Sequence, residues 1–186
     1  MGSSYYNFTS TGYLNSIGAE PVLFDKAIKS NDFSRFGGRY LLDDLRRGDH
    51  LDKIQFPVEF RITDGKYLRD VIELRCVCGF LLSDRIINLF EQNNLTGWMK
   101  YDVIVKDKRG NSIPGFHGFI VTGKNPGVLT NPGNTTDFYR PDCWYYGAVC
   151  SQRVVDVLKA NKISDFSISL LEEIDGKIVF NRILIK

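Results

Sequence analysis

The sequence predicts an α+β protein with mixed or antiparallel sheets and two internally repeated strand–helix–hairpin units. Alternating apolar and polar residues between glycine-containing turns indicate strands. Two short segments with apolar residues at helical spacing indicate helices. These segments lie in two stretches that align without a gap, GFLLSDRIINLFEQNNLTGWMKY from Gly79 and GAVCSQRVVDVLKANKISDFSIS from Gly147.

The composition is that of a globular protein with a hydrophobic core. Among 186 residues, 43% are hydrophobic and 25% charged, and 24 basic against 22 acidic residues give a net charge of +2. No concentrated basic face is visible, so we expect no nucleic-acid partner. No apolar run reaches about 18 residues and no secretory signal opens the sequence, so we expect no membrane contact and a cytoplasmic location.

The predicted domain organisation separates an N-terminal region, residues 1–55, from an α+β domain at 56–186. Residues 1–20 are rich in Ser, Thr, Gly, Asn and Tyr and are expected to be irregular or loosely docked. The repeated units would cover 79–122 and 147–186. A single compact domain over the whole chain is the alternative.

Strands and one hairpin are predicted ahead of the first unit. FPVEFRIT, from Phe56, alternates as a half-buried strand does. Asp64-Gly65 is a strong hairpin signal, and KYLRDVIELRCVC is expected to be the returning strand.

In the first unit, Ser83 is the expected helix N-cap and Asn93-Asn94 the expected helix end. WMKYDVIVKD then predicts a strand, Arg109-Gly110-Asn111 a turn and GFHGFIVTG its return. The predicted buried helix face consists of Ile86, Ile87, Leu89 and Phe90.

The second unit repeats this order 68 positions later. Ser151 is its expected N-cap and Asn161 its expected helix end; Asp175-Gly176 predicts a hairpin between DFSISLLEEI and KIVFNRILIK. The predicted buried helix face consists of Val154, Val155, Val157 and Leu158.

Arg85 and Arg153 occupy matching positions two residues after the cap serines. Each guanidinium could bind a carboxylate or backbone carbonyls at the interface of the two copies, or an anion at the helix N-terminus. We expect the structural role.

Motifs that resemble catalytic or cofactor sites are incomplete. GFIVTGKN, from Gly118, has Asn125 where a phosphate-binding loop needs Ser or Thr, and its middle residues are strand formers. His50 and His117 are the only histidines, and His117 is expected to be structural. We therefore predict no catalytic residue and no cofactor.

The cysteines, Cys76, Cys78, Cys143 and Cys150, show no standard zinc-ligand spacing. We predict no metal site and four free thiols, as is usual in a cytosolic protein.

The segment from Lys124 to Tyr146 combines two Asn-Pro-Gly turns with a dense aromatic run. Aromatic residues and arginine dominate binding hot spots at protein interfaces. The candidate partner-binding residues are Tyr139, Arg140, Trp144 and Tyr145. In the alternative interpretation, the aromatic rings pack over the sheet and cover the core. We favour this alternative for the rings.

The helix–strand segment resembles the S-x-R…L…G segment of bacterial immunity proteins from polymorphic toxin systems, many of which are domains of unknown function. The resemblance extends from Gly79 to about Thr122, and the matching features are Ser83, Arg85, Leu95, Gly97 and GFHGFIV. A second, weaker match covers Gly147–Ile174. Related proteins carry doubled Cys-x-x-Cys-Gly motifs, whereas this chain has only CVCG, so no metal role is carried over.

The resemblance implies that the chain binds and neutralises a cognate protein toxin in the producing cell's cytoplasm without catalysis. Two alternatives stay open: an enzyme with an active site between the two units, and a structural or adaptor module.

Overall fold

A computed structural model describes residues 5–10, 17–22, 44–45, 48, 51–54, 56–74, 79–125, 136–141, 148–174 and 177–183. The chain divides into two compact units that interleave in sequence. We call residues 1–12, 88–98 and 121–186 the first unit, and it contains the predicted repeat at 147–186. Residues 13–87 and 99–120 are the second unit, which contains most of the predicted repeat at 79–122. The predicted boundary at residue 55 does not coincide with this division.

The described residues contain both helix and sheet, with strands predominating, which agrees with an α+β class. Two helices are described from end to end, α1 (Asp84–Gln92) and α2 (Gln152–Ala160), and Leu51–Lys53 forms a 3₁₀ turn. The strands, in chain order, are β1 (Tyr5–Ser10), β2 (Gly18–Pro21), β3 (Val58–Asp64), β4 (Val71–Leu74), β5 (Gly79–Ser83), β6 (Trp98–Lys106), β7 (Ser112–Ile113), β8 (Phe116–Val121), β9 (Lys124–Asn125), β10 (Phe138–Pro141), β11 (Ala148–Ser151), β12 (Phe166–Ile174) and β13 (Lys177–Ile183).

The first unit contains a six-stranded sheet with the order β13-β12-β1-β11-β10-β9. Strand β1 lies inside this sheet and pairs antiparallel with both β11 and β12. Its Phe8 side chain is fully buried and packs against Phe138 and Phe166, with ring centroids 5.4 and 4.3 Å away.

The expectation that residues 1–20 are irregular is therefore wrong for β1 and for β2. Local composition is loop-like because Ser, Thr, Gly and Asn are abundant. Aromatic residues nevertheless suit strands, and the strands that pair with β1 lie more than 130 residues further along the chain.

The second unit contains most of a seven-stranded sheet with the order β3-β2-β4-β5-β8-β6-β7. A further parallel pairing of β3 with β6 closes six of these strands into a ring. The interior is filled by side chains such as those of Phe60, Ile72 and Tyr101. Gly118 in β8 provides room for Tyr101, because a Cβ at position 118 would lie 1.9 Å from its ring.

The predicted hairpin at Asp64-Gly65 is wrong. Strand β2 lies between β3 and β4, antiparallel to the first and parallel to the second. The chain from 65 to 70 consequently connects two strands that are not neighbours. Asp64 binds the inserted strand, since its Oδ1 accepts a hydrogen bond of 2.8 Å from the Gly18 N–H.

The predicted strands β12 and β13 pair antiparallel, although the predicted turn residues between them, Asp175 and Gly176, lie outside the described residues. After Arg109-Gly110 the chain returns first as β7, which pairs antiparallel with β6, and then as the predicted strand β8, which is also a neighbour of β6. In the turn at Arg109-Gly110, Asp107 accepts hydrogen bonds of 2.8 Å from the Arg109 and Asn111 backbone N–H groups. The hydrogen bond from the Asn111 side chain, together with these backbone bonds, holds the Asp107 pKa below its usual value.

The two helices bury the predicted faces, with one exception. In α1, Ile86, Ile87, Leu89 and Phe90 are all buried; in α2, Val154, Val155 and Leu158 are buried whereas Val157 is half-buried. Both helices end with an asparagine side chain that donates to a carbonyl four residues earlier, Asn93 to Leu89 and Asn161 to Val157.

Replacement of Phe8 by Ala tests the central position of β1. We expect a loss of about 3 to 5 kcal/mol in the free energy of unfolding, because the ring is fully buried. Urea denaturation followed by circular dichroism measures this loss. Met99→Ala is the control, since Met99 is 39% exposed and should change stability by no more than about 0.5 kcal/mol. Equal effects of the two substitutions would contradict the position of β1.

Candidate functional site

A buried carboxylate lies at the start of helix α2. Asp137 is 6% exposed, and it is the single buried charged residue in the described part of the chain. Its Oδ1 accepts a hydrogen bond of 2.9 Å from the Ser151 hydroxyl, and its Oδ2 accepts one of 3.1 Å from Arg153 Nη1. The Ser151 backbone N–H also donates to the Asp137 carbonyl at 2.9 Å.

Thr96 contributes the remaining bonds to this carboxylate. Its backbone N–H and its hydroxyl donate to Asp137 Oδ2 at 2.9 and 3.2 Å. In return, the Asp137 backbone N–H donates to the Thr96 hydroxyl at 3.1 Å. Burying a charge is unfavourable unless it is paired and hydrogen-bonded, and four donors to two oxygens satisfy this condition.

Arg153 also binds the end of helix α1. Its Nη2 donates to the Asn93 carbonyl, and its Nη1 donates to the Asn94 carbonyl at 3.4 Å. The last carbonyls of a helix have no partner inside that helix, and a cation is favourable there. Arg153 thus links two helix ends within the first unit.

A second aspartate occupies the matching place in the second unit. Asp70 Oδ1 accepts from the Ser83 hydroxyl at 2.6 Å, and Asp70 Oδ2 accepts from Arg85 Nη1 at 2.6 Å. The Ser83 backbone N–H donates to the Asp70 carbonyl at 2.9 Å. This carboxylate is more open than its counterpart, with 22% of its side chain exposed against 8% for Asp137.

Arg85 and Arg153 each bind a carboxylate of the protein, as the structural interpretation predicts, but that carboxylate lies in the arginine's own unit and not at an interface between the copies. Sequence reasoning missed both aspartates. Asp70 precedes its serine by 13 residues and Asp137 by 14, so a gapless comparison cannot align them. The available signal was an aspartate directly before a pair of apolar residues, Asp70 before Val71 and Ile72, and Asp137 before Phe138 and Tyr139.

The two cap serines differ from each other. The Ile86 N–H donates to the Ser83 hydroxyl at 3.4 Å, as an N-cap requires. Ser151 stands at the N-cap position of α2 but makes no capping hydrogen bond with its side chain. The predicted N-cap position of Ser151 is therefore correct, whereas the predicted side-chain capping bond is wrong; the Ser151 hydroxyl donates to Asp137 only.

The aromatic segment does not present its described residues as one exposed surface. The Tyr139 side chain is fully buried and contacts Tyr5 edge to face, with ring centroids 5.5 Å apart. Its position agrees with the core-cover interpretation and argues against direct contact of Tyr139 with a partner. Arg140 is half-buried. Trp144 and Tyr145 lie outside the described residues, so their proposed role stays a prediction.

His117 has an identifiable partner in the second unit. Its Nε2 lies 2.8 Å from Oδ1 of Asp84, the first residue of α1. The Nδ1 atom is buried and has no hydrogen-bond partner among the described residues. Asp84 is itself fixed, because its backbone N–H donates to the Gly115 carbonyl at 2.9 Å. This pair ties the start of the helix to the start of strand β8.

The phosphate-loop resemblance does not correspond to a loop. Residues 118 to 121 lie within strand β8, and Gly118 faces the Tyr101 ring. Gly123 is required by a close backbone approach, since a Cβ there would lie 2.1 Å from the Phe138 carbonyl oxygen. The presence of glycine at both positions is therefore explained by close packing inside the fold.

Within the described ranges, no group of three or more His, Cys, Asp or Glu side chains is placed to hold a metal ion. Among the same residues, no helix is long and apolar enough to span a membrane. Cys150 is a free and fully buried thiol, whereas Cys76, Cys78 and Cys143 lie outside the described residues.

Comparison with protein families finds no family model that matches this chain, and comparison with curated proteins finds no match either.

Replacement of Asp137 by Asn tests the buried carboxylate. We expect a loss of about 3 kcal/mol in the free energy of unfolding, because hydrogen bonds to a charged group contribute about 1.5 to 3 kcal/mol each. Asp70→Asn is the matched control and should lose about 1 kcal/mol, since water reaches Asp70 and Arg85 more readily. Urea denaturation of both variants measures the difference. An equal loss in the two variants would show that the deeper burial of Asp137 does not increase its contribution to the free energy of unfolding.

Cys150 provides a test based on thiol ionisation. Burial, with a smaller contribution from Asp137, raises the pKa of the Cys150 thiol far above its ordinary value of 9.0. The thiol is neutral in the folded protein, so iodoacetamide at pH 8 should leave Cys150 unmodified until urea unfolds the chain. Mass spectrometry of tryptic peptides measures the labelling.

The same raised pKa gives the sign of a pH effect. Only the unfolded thiol ionises near its ordinary pKa, so this group's contribution to stability is present below about pH 9 and is lost as the pH rises above it. In the unfolded protein, labelling of all four cysteines without prior reduction is the result expected for free thiols. Rapid labelling of Cys150 in the native protein would contradict its burial.

Proposed function

We propose that this chain is a non-enzymatic, immunity-type protein that binds a cognate protein toxin and neutralises it. The observation that carries the proposal is the use of the Ser-x-Arg motifs, on which the resemblance rests. In both places the serine and the arginine bind an aspartate of the fold. The motif residues thus support the fold itself in the described part of the chain, and this is what we expect of a protein that acts by presenting a surface to a partner.

We also propose that the two halves are copies of one ancestral unit. The supporting observations are the matched bonds around Asp70 and Asp137, and the matched helix ends at Asn93 and Asn161. The strand neighbours also match, with β4-β5-β8-β6 in one sheet and β10-β11-β1-β12 in the other. Within this proposal, β1 corresponds to β8. Strand β8 follows its helix α1 in the sequence, whereas β1 precedes its helix α2.

The side-chain pairs at the helix starts fit the same correspondence. Asp84 and Gln152 are the first residues of α1 and α2. Asp84 contacts His117 on β8, and the Tyr6 hydroxyl on β1 donates to Gln152. This supports a structural role for His117, because a neutral Tyr–Gln pair fills the same place in the other unit.

An enzymatic alternative stays open through the same His117–Asp84 pair, whose geometry would suit a general base and its orienting carboxylate. The replacement His117→Ala distinguishes the two functions. In the proposed function it leaves toxin neutralisation unchanged, whereas an enzyme would lose turnover.

Co-expression with candidate toxins tests the proposed function. The C-terminal domains of secreted toxins from the same genome are expressed with and without this chain, and growth of the host cells is measured. We expect rescue by one such domain and a stoichiometric complex on gel filtration. We also expect rescue by the His117→Ala variant.

Two outcomes would contradict the proposal: no rescue by the wild-type chain, or rescue at a small fraction of the toxin concentration, which would indicate turnover. Trp144→Ala and Tyr145→Ala test the predicted interface segment. Truncation of a hot-spot residue costs about 2 kcal/mol, which corresponds to about thirtyfold weaker binding of the rescued toxin domain.

A further inference from the structure

The turn between β6 and β7 presents two cations to solvent. Lys108 and Arg109 are exposed, and neither side chain has a hydrogen-bond or ion-pair partner among the described residues. Lys106, the preceding cation on β6, is by contrast bound to Glu59, with its Nζ 2.8 Å from Glu59 Oε1. The two cations of the turn are therefore the ones that can bind a group outside the described part of the chain.

Hydrogen bonds around Asp107 fix the shape of this turn. Its Oδ1 accepts from the backbone N–H groups of Arg109 and Asn111, and its Oδ2 accepts from the Asn111 side chain, each at 2.8 Å. Two backbone bonds complete the turn, from the Asp107 N–H to the Asn111 carbonyl at 2.8 Å and from the Gly110 N–H to the Asp107 carbonyl at 3.0 Å. The turn is thus formed before a partner binds, and a preformed element loses less conformational entropy on binding.

The same bonds decide which anion the turn fits. The backbone N–H groups of residues 109–111 are all directed to Asp107, so the turn offers no row of free N–H groups such as phosphate-binding loops provide. A nucleic acid would require an extended series of phosphate contacts, whereas on β6 Lys106 is paired with Glu59 and Asp102 is exposed. The turn therefore fits a small number of carboxylates on a protein surface, with which arginine forms paired hydrogen bonds.

We propose that the β6–β7 turn is a fixed docking point at which Lys108 and Arg109 bind carboxylates on the surface of the toxin. This inference rests on the proposed function and assigns part of its binding surface. Residues 108–112, KRGNS, contain no large apolar side chain, so the turn has nothing to insert into a lipid layer. We expect the docking point to act mainly on the rate of association, because exposed charges steer partners together more than they hold them.

The test uses the full chain and the purified toxin domain that it neutralises in co-expression. The double variant K108E/R109E should associate at least about tenfold more slowly at low salt, and its rate should lose the salt dependence of the wild-type rate. Stopped-flow fluorescence at several sodium chloride concentrations measures both effects. The unfolding midpoint in urea should be unchanged, since both side chains are exposed and lack partners among the described residues.

The double variant K159E/K162E is the matched control. Lys159 and Lys162 are also exposed cations without a side-chain partner in the described ranges, and they lie at the end of α2. The control therefore makes the same change in net charge at another place. We expect its association rate to stay within about threefold of the wild-type rate. Equal slowing in the two double variants would show that net charge alone matters and would overturn the docking point.

Asp107→Ala separates the charge of the turn from its shape. The substitution removes one negative charge, which alone would speed association, and it also removes three hydrogen bonds that fix the turn. We expect the complex to dissociate about fivefold faster, because Lys108 and Arg109 are no longer held in place before binding. Unchanged or tighter binding of this variant would contradict a fixed docking point.

The outcomes separate the two proposals. If the wild-type chain neutralises and binds the toxin domain but K108E/R109E associates at the wild-type rate, the docking point is overturned and the proposed function stands. If the wild-type chain neutralises no toxin domain, both are overturned. Binding of the wild type, but not of K108E/R109E, to duplex DNA or to vesicles of phosphatidylcholine and phosphatidylglycerol, together with unchanged toxin binding, would assign the turn to another anionic partner and overturn the proposal.

Discussion

The buried carboxylate of Asp137 is the interaction on which the first unit depends. It receives donors from the chain after α1 and from the start of α2, and its own backbone begins strand β10. These three segments are distant in sequence, and one charged group fixes all of them. A charge with so little access to water has to be fully hydrogen-bonded, so each segment has little freedom to move without leaving the carboxylate unsatisfied.

Close backbone packing follows from the same arrangement. The Thr96 carbonyl accepts from the Phe138 N–H, and the Gly97 carbonyl accepts from the N–H groups of Thr122 and Gly123. Two glycines allow this approach, because a Cβ at Gly97 or Gly123 would lie 2.0 or 2.1 Å from the Phe138 carbonyl oxygen. The Phe138 side chain is fully buried next to these contacts. The hydrogen bonds around Asp137 and the packing of the apolar core therefore stabilise each other.

The second unit uses a related network under different conditions. Asp70 is partly open to water and fixes the end of the β3–β4 connection, whereas Asp137 is closed and fixes a core strand. The same three residue types thus serve two purposes, stabilising a core in one unit and shaping an exposed loop in the other.

The sequence by itself determined the local elements whose signals lie within a few residues. The sequence predicted both helices, their buried faces except at Val157, and the turn after β6, because periodicity and turn residues act over short distances. It also predicted that Arg85 and Arg153 bind groups of the protein, although not at the place where they do. Burial of Tyr139 could be anticipated only as one of two interpretations.

Tertiary structure decided which distant segments meet. Three features join residues that are well separated in sequence. They are the position of β1 inside a sheet, the insertion of β2 between β3 and β4, and the bonds from the cap serines to Asp70 and Asp137. A one-residue difference in spacing concealed the aspartates from a gapless comparison, although both bind a serine hydroxyl with one carboxylate oxygen and an arginine with the other. Local propensity contains no information on such pairings, because strand order and the burial of a charge are settled by the packing of the complete chain.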